Sequence, residues 1–170
     1  VGDDEDGSRH TRDADGIAQL VTNNHPQFNV DKLYLDAFPQ ENTPAGPRIP
    51  DVNSSIDRSV FKGVLAVTYL GHGGPKGWAQ ERILNIVDIK KWTNSERLPL
   101  FITATCTFTS YDDADFVSAG EETFLNPSGG VVALLTTTRA VFASENEKLT
   151  RLVVDNLLEK TAQPQTVGDI

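Results

Sequence analysis

The sequence predicts an α/β fold: a three-layer α/β/α arrangement in which a mainly parallel sheet carries helices on both faces. Three observations predict it. Val64–Leu70 (VLAVTYL) and Leu98–Thr105 (LPLFITAT) are near-continuous apolar runs, joined by a third at Val131–Thr138, as suits strands covered on both sides. Around these runs apolar residues recur at helical spacing. Strand and helix alternate along the chain, which gives right-handed βαβ units and parallel pairing.

In chain order, Val1-Gly2 reads as the last residue or two of a strand, followed by the acidic run Asp3-Asp4-Glu5-Asp6. Ile17, Leu20 and Val21 set a helix over residues 13–24, and Val30–Leu35 (VDKLYL) reads as a strand. Residues 38–50 hold four prolines and a glycine, hence a loop. Pro50 suits a first helical position, with Val52, Ile56 and Val60 on one face until Gly63 ends the helix. After the Val64 run, residues 71–77 form a glycine-rich loop, and a short helix covers residues 87–92. The Leu98 run delivers Cys106; a helix over residues 119–125 precedes the Val131 run, and Leu149, Leu152, Val153 and Leu157 mark a last helix. The 170 residues make one domain. Both ends read as truncated, so the expectation is a single catalytic unit cut from a larger protein.

A net charge of −9 repels a phosphate backbone and argues against nucleic acid as a partner. No apolar run of membrane-spanning length occurs and no secretory leader opens the chain, so this piece reads as soluble. One cysteine excludes an internal disulfide and any multi-cysteine zinc cluster.

In open parallel sheets, ligands bind beyond the carboxyl ends of strands. Tyr69-Leu70-Gly71-His72-Gly73-Gly74 follows one buried strand there, and Thr105-Cys106-Thr107 follows another. If the strands are neighbours, His72 and Cys106 share an edge. An imidazole beside a thiol supplies the base, or the cation, that makes a thiolate nucleophile. The Gly73 amide, together with that of Cys106, would face a developing oxyanion. An acid from the Asp3–Asp6 run would orient the imidazole, Asp4 first and Glu5 next. The competing readings of that run are a solvated loop and a set of oxygen ligands for structural Ca²⁺. Its spacing is not that of an EF-hand, so neither cofactor nor metal is expected.

Lesser candidates complete the reading. Trp78 and Trp92 line a cleft or pack in the core. Arg139 pairs with Glu121 or Glu122, or receives a substrate carboxylate; an ion pair is the preferred reading. Asp112, Asp113 and Asp115 shape the pocket from the loop after Cys106, while His10 and His25 are taken as solvated.

The chain also resembles a known family. The blocks GVLAVTYLGHGGPKGWAQE (Gly63–Glu81), RLPLFITATCTF (Arg97–Phe108) and SAGEETFLNPSGGVVALLTTTR (Ser118–Arg139), with the opening GDDEDG, are similar to the gingipain family of caspase-like cysteine peptidases. The likeness covers nearly the whole chain. It implies a caspase-like fold, His72 as base, Cys106 as nucleophile, Gly73 near the oxyanion and an acid at about Asp4. Gingipains usually have Ala-Cys where this chain has Thr105-Cys106, which points toward the sortase branch of the family in type IX secretion. That branch implies protein substrates with C-terminal secretion signals and lipopolysaccharide as acceptor. It also implies other secretion-system outer-membrane proteins as partners, and a place on the outer-membrane surface of a Bacteroidetes-type bacterium.

Overall fold

The computed structural model describes residues 1–159 and residue 166. Helix α1 (Glu5–Asn24) is followed by a 3-10 turn (Leu35–Ala37), a hairpin of β1 (Glu41–Thr43) and β2 (Gly46–Arg48), and α2 (Pro50–Lys62). Strand β3 (Ala66–Leu70) leads into β4 (Gly73–Gly74), β5 (Gly77–Trp78) and β6 (Leu84–Asn85), then α3 (Ile86–Ile89). Next come β7 (Leu100–Ala104), α4 (Ala119–Leu125), β8 (Ala133–Leu135) and α5 (Ala143–Leu158).

The main sheet runs β3-β7-β8 with every pair parallel. Gly2 widens it beyond β3, bridging in parallel to both Leu70 and Tyr34. Side chains alternate across this sheet as the pleat requires. Val67, Tyr69 and Phe101 join Val52, Ile56 and Val60 of α2 and Ile89 of α3 in one core. Leu70, Leu100, Ile102 and Ala104 join Ala14, Ile17 and Val21 of α1 and Val154 of α5 in the other. The result is the expected open three-layer α/β/α sandwich. Phe101, fully buried between Trp78 and Trp92 at ring-centroid distances of 5.5 and 5.8 Å, anchors the first core.

The ends of α2 follow their local chemistry. Pro50 opens it, and Gly63 closes it at φ 91°, a conformation only glycine adopts without strain.

Several elements differ from expectation. Residues 30–35 make a single bridge, Tyr34 to Gly2, in place of a strand. The partner segment leaves the sheet immediately to enter α1, so no ladder can extend. Residues 38–50 contain the β1–β2 hairpin. The glycine-rich segment after β3 is a small antiparallel sheet, ordered β4-β5-β6. Gly77 permits this, because at φ 150° its absent Cβ would collide with the Leu84 carbonyl. The helix expected over 87–92 is one turn, Ile86–Ile89, started by the Asn85 side chain accepting from the Val87 amide. The segment Glu5–Asn24 opens with a left-handed turn at Asp6, Gly7 and Ser8 (φ 56°, 61° and 59°), and the regular right-handed helix follows it, still starting earlier than its apolar spacing suggests.

Candidate active site

Parallel pairing of β3 with β7 sets the site. Ala66 lies opposite Leu100 and the register holds through Leu70 opposite Ala104. His72 and Cys106 each stand two residues past that last pair, so one register delivers both to the same edge. Beyond the strands the two segments stay in contact. The Gly71 amide donates to the Ala104 carbonyl at 3.3 Å. A Cβ on Gly73 would lie 2.5 Å from Thr105 Oγ1, so only glycine lets the histidine loop seat against the cysteine loop.

The backbone of His72 is held at both polar groups. Its N–H donates to Asp3 Oδ2 at 2.7 Å. Its carbonyl accepts from the Tyr69 hydroxyl at 2.5 Å and from the Ala79 amide at 2.9 Å. Asp3 and Tyr69 are both fully buried. Burial, reinforced by the neighbouring Asp3 carboxylate, pushes the Tyr69 phenol well above its ordinary range, so it stays a proton donor. Tyr69 in turn stacks on Trp78 at 4.5 Å, which locks the ring.

The imidazole itself is half exposed and faces acids from the start of α1. Its Nε2 lies 3.1 Å from Asp6 Oδ2 and 3.7 Å from Glu5 Oε2. The hydrogen bond from His72, aided by its charge, holds the Asp6 carboxyl below the usual carboxylate range. An ionised Asp6 can only accept, which in the neutral imidazole assigns the ring proton to Nε2 and leaves Nδ1 with the free lone pair.

Cys106 is a free, partly buried thiol on the turn after β7. The next residue, Thr107, has φ 45°, rare for a β-branched residue, and marks a sharp change of chain direction beside Cys106. The flanks of that turn are anchored on the segment after β8. The Thr137 hydroxyl donates to the Thr105 carbonyl, and the amides of Thr107 and Thr109 donate to the carbonyls of Arg139 and Thr137.

The sequence-derived candidates fall into place unevenly. His72, Gly73 and the Cys106 segment converge on one edge. The acids facing the imidazole are Asp6 and Glu5, whereas Asp4 turns toward Asp3 and Glu81, with Oδ1 buried and without a hydrogen-bond partner. Burial raises the carboxyl pKa of Asp4, and its acidic neighbours Asp3 and Asp36 add to the effect. Trp78 and Trp92 are fully buried core residues, so neither lines a cleft. Arg139 pairs with Asp112, not with the glutamates. Glu121 is engaged in the capping box with Ser118, and Glu122 lies 3.8 Å from Lys90. His10 and His25 are buried rather than solvated; His25 lies 3.1 Å from Asp155, and His10 packs edge-on against His72 at 5.1 Å.

Sequence reasoning missed Asp3, Asp6, His10 and Tyr69 as individual contributors. Asp6 and His10 are four apart in sequence, but left-handed residues between them place Asp6 Oδ2 3.4 Å from His10 Nε2 by a path no helical spacing encodes. The left-handed turn that aims Asp6 at His72 leaves no periodic trace either.

The sequence model of Peptidase family C25 matches residues 1–170. Among curated protein sequences none matches the chain closely enough to count as a relative. Two solved structures are similar in fold. "Complex of Porphyromonas gingivalis RgpB pro- and mature domains" superposes with a TM-score of 0.71 at 18% identity, covering 95% of this chain and 35% of that one. "Crystal structure of the Arg specific cysteine proteinase gingipain R (RGPB)" gives 0.69 at 19% identity, covering 88% and 32%. The chain thus spans about a third of the length of the structures it matches.

Proposed function

The chain belongs to peptidase family C25, the gingipain family, and from that membership we propose that it carries the Cys–His centre of a cysteine peptidase working by acyl transfer. One observation carries the reading: a single strand register brings His72 and Cys106 to the same sheet edge, with a carboxylate already on the imidazole.

The chemistry follows from the groups present. His72 Nδ1 takes the proton of the Cys106 thiol, and the thiolate attacks a substrate carbonyl. The Gly73 and Cys106 amides are assigned to the resulting oxyanion. Collapse breaks the C–N bond, the imidazolium returns its proton to the leaving amine, and a thioester remains on Cys106. An acceptor then attacks the thioester, gives up a proton to His72, and regenerates the thiol. Water as acceptor makes the enzyme a hydrolase; an amine makes it a transpeptidase.

The finer reading is a PorU-like sortase of type IX secretion. Such an enzyme removes C-terminal signal domains from secreted proteins and joins the new carboxyl end to a lipopolysaccharide amine. Thr105 before the nucleophile, where gingipains usually carry Ala, supports it. Its setting would be the outer-membrane surface, among other secretion-system proteins. Among the described residues no helix is long and apolar enough to cross a membrane.

The test uses the full-length protein with a signal-bearing substrate and an amine acceptor, products being read by mass spectrometry. An amide-linked product supports the sortase, whereas hydrolysed product alone favours an endopeptidase. Cys106→Ala should lower turnover by about 10⁴-fold or more. If Cys106 reacts with iodoacetamide no faster than free cysteine, the activated pair fails and a non-catalytic module is left.

A further inference from the structure

The environment of His10 is not explained by peptidase chemistry. His10 is 6% exposed, and its Nε2 is buried without a hydrogen-bond partner. That nitrogen lies 3.4 Å from Asp6 Oδ2, the same oxygen that stands 3.1 Å from His72 Nε2. Ligand atoms of Asp6, His10 and His72 all lie within 4.8 Å of one another. One carboxylate oxygen therefore faces two imidazoles, and it satisfies only one of them.

We propose that Asp6, His10 and His72 form a binding site for a zinc-type divalent ion, and that the ion reversibly switches off the catalytic histidine. Bonds of about 2.0–2.1 Å in a tetrahedral shell place neighbouring donors roughly 3.3 Å apart. The two Asp6–imidazole distances already match that edge, so only the imidazole–imidazole separation has to close. Two ring nitrogens and one carboxylate are the donors Zn²⁺ takes; Ca²⁺ and Mg²⁺ require an oxygen shell. Glu5 Oε2, 3.7 Å from His72 Nε2, lies outside that group of three, so the fourth position would fall to solvent. The buried His10 nitrogen, aimed into the cluster and unpartnered, separates this site from an ordinary surface group of acids and histidines.

The switch follows from proton bookkeeping on one ring. Without metal, Nε2 holds the proton and Nδ1 is the base. A metal on Nε2 uses that lone pair, so the single proton of the neutral imidazole moves to Nδ1. Nδ1 then cannot accept a proton from Cys106. The binding half of this inference is independent of the proposed function, and the switching half rests on it.

The experiment therefore reads binding first, in full-length protein carrying Cys106→Ala, so that no thiolate can hold the metal. Titration with Co²⁺ should give a saturable visible band of tetrahedral type, displaced by Zn²⁺. Asp6→Asn and His10→Gln, each placed in this background, should weaken Zn²⁺ at least by the ~10–100-fold that loss of even an outer-shell partner costs. Asp6 is exposed, so its variant stands even if His10→Gln fails to fold. Binding unchanged by Asp6→Asn, or no binding at all, overturns the site. In the Cys106 enzyme, Zn²⁺ inhibition is scored against each variant's own metal-free rate. Inhibition that persists undiminished in both variants places the ion on the thiolate and overturns the switch. Metal binding by a protein that proves to have no peptidase or transpeptidase activity keeps the site and sinks only the function proposed above.

Discussion

Asp3 and Asp6 hold His72 in different ways, and substitution should separate them. Asp3 grips the backbone from a fully buried position. Asp3→Ala leaves the His72 N–H without its acceptor in a dry setting, a loss of about 1–3 kcal/mol in unfolding free energy. Asp6 holds the ring from a half-exposed position, where solvent screens the interaction. Asp6→Asn should leave the denaturant midpoint nearly unchanged while lowering kcat/KM about tenfold, the rate equivalent of one modest hydrogen bond. A tenfold rate loss without a stability loss in Asp3→Ala would invert this assignment. Glu81 offers a third residue-level test. Burial, with repulsion from Asp4, Asp3 and Glu5, raises its carboxyl pKa above the ordinary value. A raised folded pKa means that the fold favours the protonated form. Stability from this group is thus full below its unfolded pKa and is lost as pH rises through the folded value. Glu81→Gln should therefore raise the melting temperature by a few degrees at pH 7 in EDTA, and the gain should vanish at about pH 4, near the unfolded glutamate value. An equal gain at both pH values would point to packing instead of charge.

The elements show what the sequence could and could not reveal. Val64–Leu70 and Leu98–Thr105 were legible because parallel strands covered on both faces leave continuous apolar runs, and Val52, Ile56 and Val60 because a helix buries one stripe. With those in hand, the placement of His72 and Cys106 at one sheet edge was legible from the strand ends alone. The β4–β5–β6 sheet was not legible, since two-residue strands carry no period and Gly-Gly reads as loop. Of the two acids facing the ring, Glu5 was the second choice from sequence, whereas the nearer one, Asp6, was not legible, because three successive left-handed residues at Asp6–Ser8 redirect the chain in a way no hydrophobic pattern records. Arg139 found Asp112 through the turn of the loop after Cys106, a path set by tertiary contacts. The small sheet makes its own prediction. Gly77 sits at φ 150° against the Leu84 carbonyl. Gly77→Ala should cost about 1–3 kcal/mol from backbone strain alone, and should also weaken activity by loosening the Ala79 amide from the His72 carbonyl. Unaltered thermal unfolding of Gly77→Ala would show that the β5–β6 pairing does not hold the histidine loop.

At the scale of the whole molecule, the site belongs to no single element. Its acids lie at the start of α1, His72 follows β3, Cys106 follows β7, and the turn at Cys106 is anchored by the segment after β8. The two cores lie on opposite faces of the same strands, so neither can melt while the other keeps the register that aligns His72 with Cys106. Enhanced thiol reactivity should then be a property of the folded unit as a whole. Phe101→Ala tests this, because Phe101 is fully buried at the start of β7, at the opposite end of the strand from the edge that carries Cys106. Its truncation should cost about 3–5 kcal/mol. In urea, the loss of excess iodoacetamide reactivity at Cys106 and the unfolding of the domain, followed by fluorescence of the buried Trp78 and Trp92, should share one midpoint. Phe101→Ala should move both midpoints down together, without changing Cys106 reactivity in the absence of urea. If reactivity disappears at clearly lower urea than the tryptophan signal, the edge opens locally, and the sheet register alone does not hold the catalytic pair.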